Sequence, residues 1–122
     1  MQLQESPGAT IPDNVGAGIE RTLSTVESGL VGSVEVALDI AHTYIGDLRV
    51  RLRSPSGTEA VLHDRTGGSS DNIARTYTAA NTPSLAAVAG QPIAGPWKLL
   101  VSDHEAADVG KLNRWSLTIH RP

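Results

Sequence analysis

Cysteine is missing from this 122-residue chain, and so is phenylalanine. The lack of cysteine excludes disulfides, thiol catalysis, zinc–thiolate sites and iron–sulfur clusters. No apolar run approaches the ~18 residues that a membrane-spanning helix needs, so we expect no membrane partner. The N-terminus has no basic segment followed by an apolar stretch, which predicts that this sequence contains no signal peptide.

The chain also has fewer positively than negatively charged residues. Ten Lys and Arg residues against 13 Asp and Glu residues give a formal net charge of −3. Proteins that bind a phosphate backbone normally carry a basic face, so we predict no nucleic-acid partner. The length and the 39% apolar fraction suit one globular domain with its own core.

Alternation of apolar and polar residues is the strongest pattern that is present. A period of two is typical of half-buried β-strands, and it is clearest at 33–40 (SVEVALDI), 48–53 (LRVRLR), 97–102 (WKLLVS) and 115–120 (WSLTIH). No stretch of ten residues has a convincing helical period. About eight short strands separated by turn signals predict an all-β fold, an antiparallel β-sandwich of jelly-roll type.

The prolines and glycines divide the chain further. Residues 1–18 carry two prolines and three glycines and are predicted as an extended N-terminal lead-in or linker, with the sandwich domain at 19–122. Residues 79–96 hold three prolines and are predicted as a long connection with one helical turn at 85–88. Gly46 and Gly57 are expected to permit a positive φ at tight turns.

Two groups of side chains have an ordinary structural interpretation. Arg49, Arg51 and Arg53 alternate along one strand; they could form an anion-binding patch, but a solvated sheet face is the more common arrangement. Trp97 and Trp115 alternate with polar neighbours, which indicates core positions and disfavours an exposed sugar-binding platform.

No catalytic motif is present. The chain lacks a G-x-S-x-G elbow, an H-E-x-x-H helix and a Walker loop. His42, Asp64 and a serine could form a triad in principle, but no local motif supports one. His42 is better interpreted as a residue that holds a strand end by hydrogen bonds. We therefore predict no catalytic residues and no enzyme activity for this chain alone.

Aspartates at predicted strand ends and in loops are better candidates for a site. Calcium prefers six to eight oxygen ligands, and loops at one end of a sandwich can supply them. Each aspartate could instead form a turn or an Asx motif, and no EF-hand pattern is present. We predict that Asp47 and Asp103 bind Ca²⁺, with Asp71 and Asp108 as further candidates.

Several motifs in order resemble those of a known family. His-Thr-x-x-Gly-Asp-Leu stands at 42–48, Ser-Pro-x-Gly-Thr at 54–58, Gly-x-Trp-x-Leu at 95–99 and Gly-x-Leu-x-x-Trp-x-Leu at 110–117. They resemble the P domain, also called the homo B domain, of proprotein convertases and bacterial secreted proteases. The resemblance spans about residues 11–120.

The resemblance implies a jelly-roll domain without catalytic activity of its own. Such a domain would follow the catalytic domain of a subtilisin-like serine protease or a metalloprotease in the same chain, pack on it and stabilise it. It implies a bacterial, secreted location as part of a larger precursor, and a monomer when isolated. Residues 79–96 are Ala- and Pro-rich where convertases carry aromatic and acidic residues, so convertase docking contacts do not transfer.

The alternative is a module that binds a substrate or polysaccharide for a secreted enzyme. Exposed aromatic side chains would favour that function, and an aromatic content of 3% counts against it. A protease domain immediately upstream in the full-length chain would support the accessory-domain hypothesis.

Overall fold

The computed structural model of the protein describes residues 1–11, 15–104 and 110–122, and for residues 15–17 the backbone alone. Over these residues the chain forms nine strands in two antiparallel sheets. The predicted all-β sandwich is therefore confirmed. In the part of the chain that is described, no helix has the length and apolar character to cross a membrane.

The two sheets divide the strands as a jelly roll requires. The first sheet contains β1 (Gln2–Glu5), β2 (Ala9–Ile11), β4 (Ser33–His42), β7 (Ile73–Thr78) and β9 (Gly110–His120). The second contains β3 (Val15–Thr25), β5 (Leu48–Arg53), β6 (Glu59–Asp64) and β8 (Gly95–Asp103). The strand order of the first sheet is β1-β9-β4-β7, and β2 also pairs with β9. The strand order of the second sheet is β3-β8-β5-β6. Strands β2 to β9 therefore form an eight-stranded jelly roll.

The core lies between the sheets and is built by the predicted alternation. Along β4 the residues at even positions are buried, and along β8 the odd ones from Trp97 to Asp103 are, together with Ser102. Trp97 and Trp115 are fully buried, as expected. Their indole N–H groups donate to the carbonyl oxygen of Ile93 and to Glu5 Oε1, each at 2.9 Å. The largest side chains of the core are thus also satisfied as hydrogen-bond donors.

The outer face of the second sheet carries paired charges. Arg51 Nη1 lies 2.8 Å from Glu59 Oε1, and Arg53 also pairs with Glu59. The hydrogen bond from Arg53 lowers the pKa of Glu59 below its ordinary value. Lys98 and Glu20 form a further pair at 2.8 Å. These contacts favour a solvated, ion-paired sheet face over an anion-binding patch.

The two glycines named from the sequence serve different purposes. Gly57 has a φ of +91° in the 54–57 turn, where its N–H donates to Ser54 O at 2.9 Å, so that prediction is right. Gly46 is not among the residues with positive φ, so that prediction is wrong. A Cβ on Gly46 would lie 2.9 Å from Gly68 O, so Gly46 permits a close backbone approach instead.

The described part of residues 1–18 is extended and paired with the sandwich. Strands β1 and β2 both pair with β9, and β2 supplies one of the eight jelly-roll strands. Glu5, at the end of β1, accepts two hydrogen bonds from Arg21 of β3, at 2.9 and 3.0 Å. That contact links the edges of the two sheets. The domain boundary at residue 18 itself stays a prediction.

The Glu5–Arg21 contact gives a pH-dependent prediction. The hydrogen bond from Arg21 outweighs burial and lowers the pKa of Glu5 below its ordinary value of about 4.5. The contact therefore stabilises the fold above about pH 4.5, and this stabilisation is lost as the pH falls through the lowered pKa of the folded state. Glu5→Gln should lower the free energy of unfolding by about 1 kcal/mol at pH 7. Urea denaturation should show the two proteins converging as the pH falls through the lowered pKa of Glu5; a difference that does not change with pH would contradict this origin.

Candidate metal site at one end of the sandwich

The strand ends that belong to three connections of the jelly roll lie at one end of the molecule. Strands β4, β6 and β8 finish there, and β5, β7 and β9 begin there. We call this the aspartate end and define it by residues 42–47, 64–72 and 103–104. It contains Asp47, Asp71 and Asp103, three of the four predicted ligands, whereas Asp108 lies outside the described residues.

A buried hydrogen bond joins the two sheets at this end. His42 is the last inward-facing position of β4, and Asp103 is the last inward-facing position of β8. Their side chains are both fully buried, with His42 Nε2 2.9 Å from Asp103 Oδ2. Because a buried carboxylate is costly unless it is paired, this contact both stabilises Asp103 and closes the core.

The neighbouring hydrogen bonds determine the tautomer of His42. The Tyr44 backbone N–H donates to Nδ1 at 3.0 Å, so Nδ1 is the unprotonated nitrogen. The proton therefore lies on Nε2, which donates to Asp103. The His42 backbone is held as well, because its N–H donates to Asn72 Oδ1 at 3.0 Å and its carbonyl accepts from the Asn72 N–H at 2.9 Å. The predicted role of His42 at a strand end is thus what the geometry shows.

Asp47 lies next to Asp103 across the second sheet. It ends a short 3-10 helix (Ile45–Asp47) and is 4% exposed. The residue that follows it, Leu48, is the register partner of Asp103, and the His104 N–H donates to the Asp47 carbonyl at 2.8 Å. Directly opposed residues of antiparallel strands have Cα atoms about 5 Å apart. The fold therefore brings the two main predicted ligands to neighbouring positions.

Asp71 lies apart from this buried pair, on the exposed surface. With His42, Asn72 and Lys111 it lines an open pocket of about 490 Å³ on the first-sheet side of the aspartate end. The structure thus places Asp71 at the same end as Asp47 and Asp103 but in a solvated position.

The connection that carries Asp47 is braced by the loop after β6. Ile45 N–H donates to Ser70 O at 3.0 Å, and Gly46 N–H donates to Gly68 O at 2.9 Å. His63 Nε2 lies 2.8 Å from the Ile45 carbonyl oxygen. These contacts hold the backbone beside Asp47 in one position, as a cation site needs.

The donor set among the described residues fits a hard cation only in part. Buried carboxylates are typical calcium ligands, and Asp47 and Asp103 provide two at one strand end. Among residues 1–11, 15–104 and 110–122, however, no group of three or more His, Asp or Glu side chains is arranged to hold a metal. The structure therefore leaves the calcium site as a hypothesis.

A serine–histidine contact occurs beside the aspartates. Ser102 Oγ lies 2.7 Å from His104 Nε2, and no motif in the sequence singled out this pair. Ser102 is only 5% exposed. Asp103, the carboxylate between them in sequence, hydrogen-bonds to His42 on the opposite sheet. The contact therefore does not place these three residues in a catalytic triad.

The class of protein is a jelly-roll module with a buried acid–histidine pair at one end. A family model described as the proprotein convertase P-domain matches residues 31–119. That is well over half of the chain, so the chain belongs to the proprotein convertase P-domain family. The family identified from the sequence motifs is thereby confirmed.

Curated relatives are larger bacterial proteins. A calcium-dependent protease of Trichormus variabilis is 43% identical over 101 residues, which cover 80% of this chain and 15% of the relative. Leupeptin-inactivating enzyme 1 of Streptomyces exfoliatus is 37% identical over 117 residues, which cover 94% of this chain and 25% of the relative. The chain thus spans a quarter or less of these relatives, as an accessory domain of a larger protease does.

Solved structures agree on the fold. A serine protease of Aeromonas sobria superposes with a TM-score of 0.76 at 19% identity, over 98% of this chain and 26% of that chain. At this identity the likeness establishes the fold alone.

Removal of the buried carboxylate gives the prediction for this site. Asp103→Ala leaves the His42 Nε2–H buried without its acceptor, so we expect a loss of about 3 kcal/mol in the free energy of unfolding. Urea denaturation in EDTA isolates this effect from any metal. The control, Asp71→Ala at the exposed position, should change stability by no more than about 0.5 kcal/mol. Equal losses in the two variants would contradict the inter-sheet role of Asp103.

Proposed function

We propose that this P domain is a non-catalytic accessory domain, attached in a longer chain to the catalytic domain of a secreted bacterial protease, and that it stabilises that domain. The family match over residues 31–119 is the observation that carries the proposal. The names and lengths of the relatives support it, because the matched region makes up 15% of a protein named a calcium-dependent protease and 25% of leupeptin-inactivating enzyme 1.

The catalytic centre in this proposal belongs to the attached domain. The nearly complete burial of Ser102 and the engagement of Asp103 with His42 count against a catalytic centre at Ser102. We propose a serine-type endopeptidase as the attached domain, with a metalloprotease as the second class. We further propose an extracellular location and a monomeric state for the isolated domain.

Calcium is the proposed ligand of the aspartate end. Two relatives are named calcium-dependent proteases. Asp47 and Asp103 are both buried, and Leu48, the residue after Asp47, pairs with Asp103. In this proposal Asp47 and Asp103 bind the ion, and Asp71 and Asp108 are further candidate ligands. A bound Ca²⁺ would neutralise acidic side chains and link the connections that meet at this end.

A polysaccharide-binding module has less support from the structure. Sugar platforms need exposed aromatic rings, and the chain has four aromatic residues. Trp97, Trp115 and Tyr77 are buried, and Tyr44 is 39% exposed. A single half-exposed ring does not make a stacking groove.

Calcium should raise the thermal stability of the domain. A site that is about 100-fold saturated adds about 2.7 kcal/mol to the folded state, which for this size corresponds to a rise in melting temperature of about 10 °C. The measurement is a thermal melt in excess EDTA and then in millimolar Ca²⁺, with Mg²⁺ as the control cation. An unchanged melting temperature in Ca²⁺ would rule out a structural calcium site.

Asp47→Ala should weaken that binding while the domain remains folded. Isothermal titration calorimetry with Ca²⁺ should show at least a tenfold loss of affinity, because a carboxylate ligand is removed. Asp39→Ala is the matched control, since Asp39 is exposed within β4. If Asp47→Ala binds calcium as the unaltered chain does, Asp47 is not a ligand.

The accessory role is tested in the longer protease chain that carries this domain. Destabilisation of residues 1–122 by the Asp103→Ala substitution should shorten the half-life of protease activity on heating. The kcat of the enzyme before heating should change little, because no residue of this domain contacts the substrate in the proposal. An unchanged half-life would contradict a stabilising role.

A further inference from the structure

The end of the sandwich opposite the aspartates carries both chain termini. Met1 and Ile119 exchange two hydrogen bonds, Met1 N–H to Ile119 O at 3.0 Å and Ile119 N–H to Met1 O at 2.8 Å. Gly32 N–H donates to His120 O at 2.7 Å, so the β3–β4 connection lies there too. Strands of about ten residues separate this terminal end from the aspartate end by about 30 Å.

Large apolar side chains are exposed at the terminal end. Val26 is 98% exposed and Leu30 is 52% exposed. Leu30 forms an isolated bridge with Pro92, and both point outward while Val31 and Ile93 are buried beneath them. A contiguous exposed apolar patch of this kind marks an interaction site more often than a lone exposed side chain does.

The segment that presents these side chains is held in one conformation. Arg121 donates to Glu27 Oε2 at 3.1 Å and to Ser28 O at 3.0 Å. Val31 N–H donates to Gln91 O at 2.8 Å, and the Ile93 N–H donates to the carbonyl of Gly29 at 3.0 Å. A surface that is ordered before binding loses little conformational entropy when a partner covers it.

Charge is absent from the neighbouring connection. Residues 79–96 contain no Asp, Glu, Lys, Arg or His, and their exposed part is largely Ala and Pro. Thr25 pairs with Gly95, which places Val26 beside this segment. Depletion of charged residues is the compositional feature of the centres of protein interfaces. The outer face of the second sheet, by contrast, is covered by ion pairs.

We propose that this terminal patch, defined by Val26, Leu30, Pro92, Ala94 and Pro96, docks on the protease catalytic domain attached in the same chain. The proposal rests on the accessory function above and assigns it a surface. The rest of a relative, three quarters or more of its length, would connect through residue 1 or residue 122, and both lie beside the patch. A surface beside the point of attachment stays close to the attached domain, so its effective concentration for that domain is high.

Hydrogen exchange locates the docking surface directly. Exchange of residues 1–122 alone is compared with exchange of the same residues in the longer protease chain. Protection concentrated at residues 26–32 and 89–96 supports the proposal. Protection concentrated at the aspartate end or on the Arg51–Glu59 face overturns the assigned surface and leaves the accessory function standing. If no amide of residues 1–122 gains protection in the longer chain and the domain melts at the same temperature in both proteins, the docking surface and the accessory function are both overturned.

Paired substitutions give a second test. Val26→Asp with Leu30→Asp should leave the melting temperature of residues 1–122 unchanged, because both side chains are exposed, and should shorten the half-life of protease activity on heating at least threefold. Thr76→Asp, on the exposed outer face of β7, is the control and should leave the half-life unchanged. A double variant that behaves like this control overturns the proposal.

Self-association is distinguished by sedimentation of residues 1–122 at micromolar concentration. Residues 1–122 could form a dimer that Val26→Asp with Leu30→Asp dissociates, while the patch gains no protection in the longer chain. That result would assign the patch to a second copy and overturn the proposal. A monomer, with protection of the patch in the longer chain, supports it.

Discussion

The hydrogen bond between His42 and Asp103 is the contact on which the aspartate end of the molecule depends. It joins the last inward position of one sheet to the last inward position of the other, with both side chains fully buried. The surrounding backbone is arranged to fit this contact, because Tyr44 and Asn72 hold the ring nitrogen and the main chain of His42. The His42–Asp103 hydrogen bond closes the core at this end, and it thereby also positions Asp47 and the connections beside it.

The two ends of the sandwich differ in chemistry. One end gathers Asp47, Asp71 and Asp103 on connections that are braced by backbone hydrogen bonds. The other exposes the apolar side chains of Val26 and Leu30 beside both chain termini, with the Arg121–Glu27 ion pair next to them. The outer face of the second sheet carries ion pairs and is exposed to solvent. The proposed cation site and the proposed docking surface are therefore about 30 Å apart.

Much of the fold follows from local pattern. The alternation at 33–40, 48–53, 97–102 and 115–120 predicts strands that the structure contains, and it places both tryptophans in the core. The order of the motifs identifies the family that the model match confirms. Strands β1 and β2 were not predicted, because they are short and gain their stability from pairing with β9, at the far end of the chain. Such a partner leaves no periodic signal in a short, Pro- and Gly-containing segment.

The sequence by itself determined the strands of alternating pattern, the all-β class and the family, because the period of two and the turn residues act over a few neighbouring positions. Only the tertiary structure decided that Asp103 faces His42, 61 residues away in the chain, and that Gly46 lies against Gly68. It also placed the exposed Val26 and Leu30 beside the termini. Such pairings depend on the jelly-roll connections, which bring distant strand ends together.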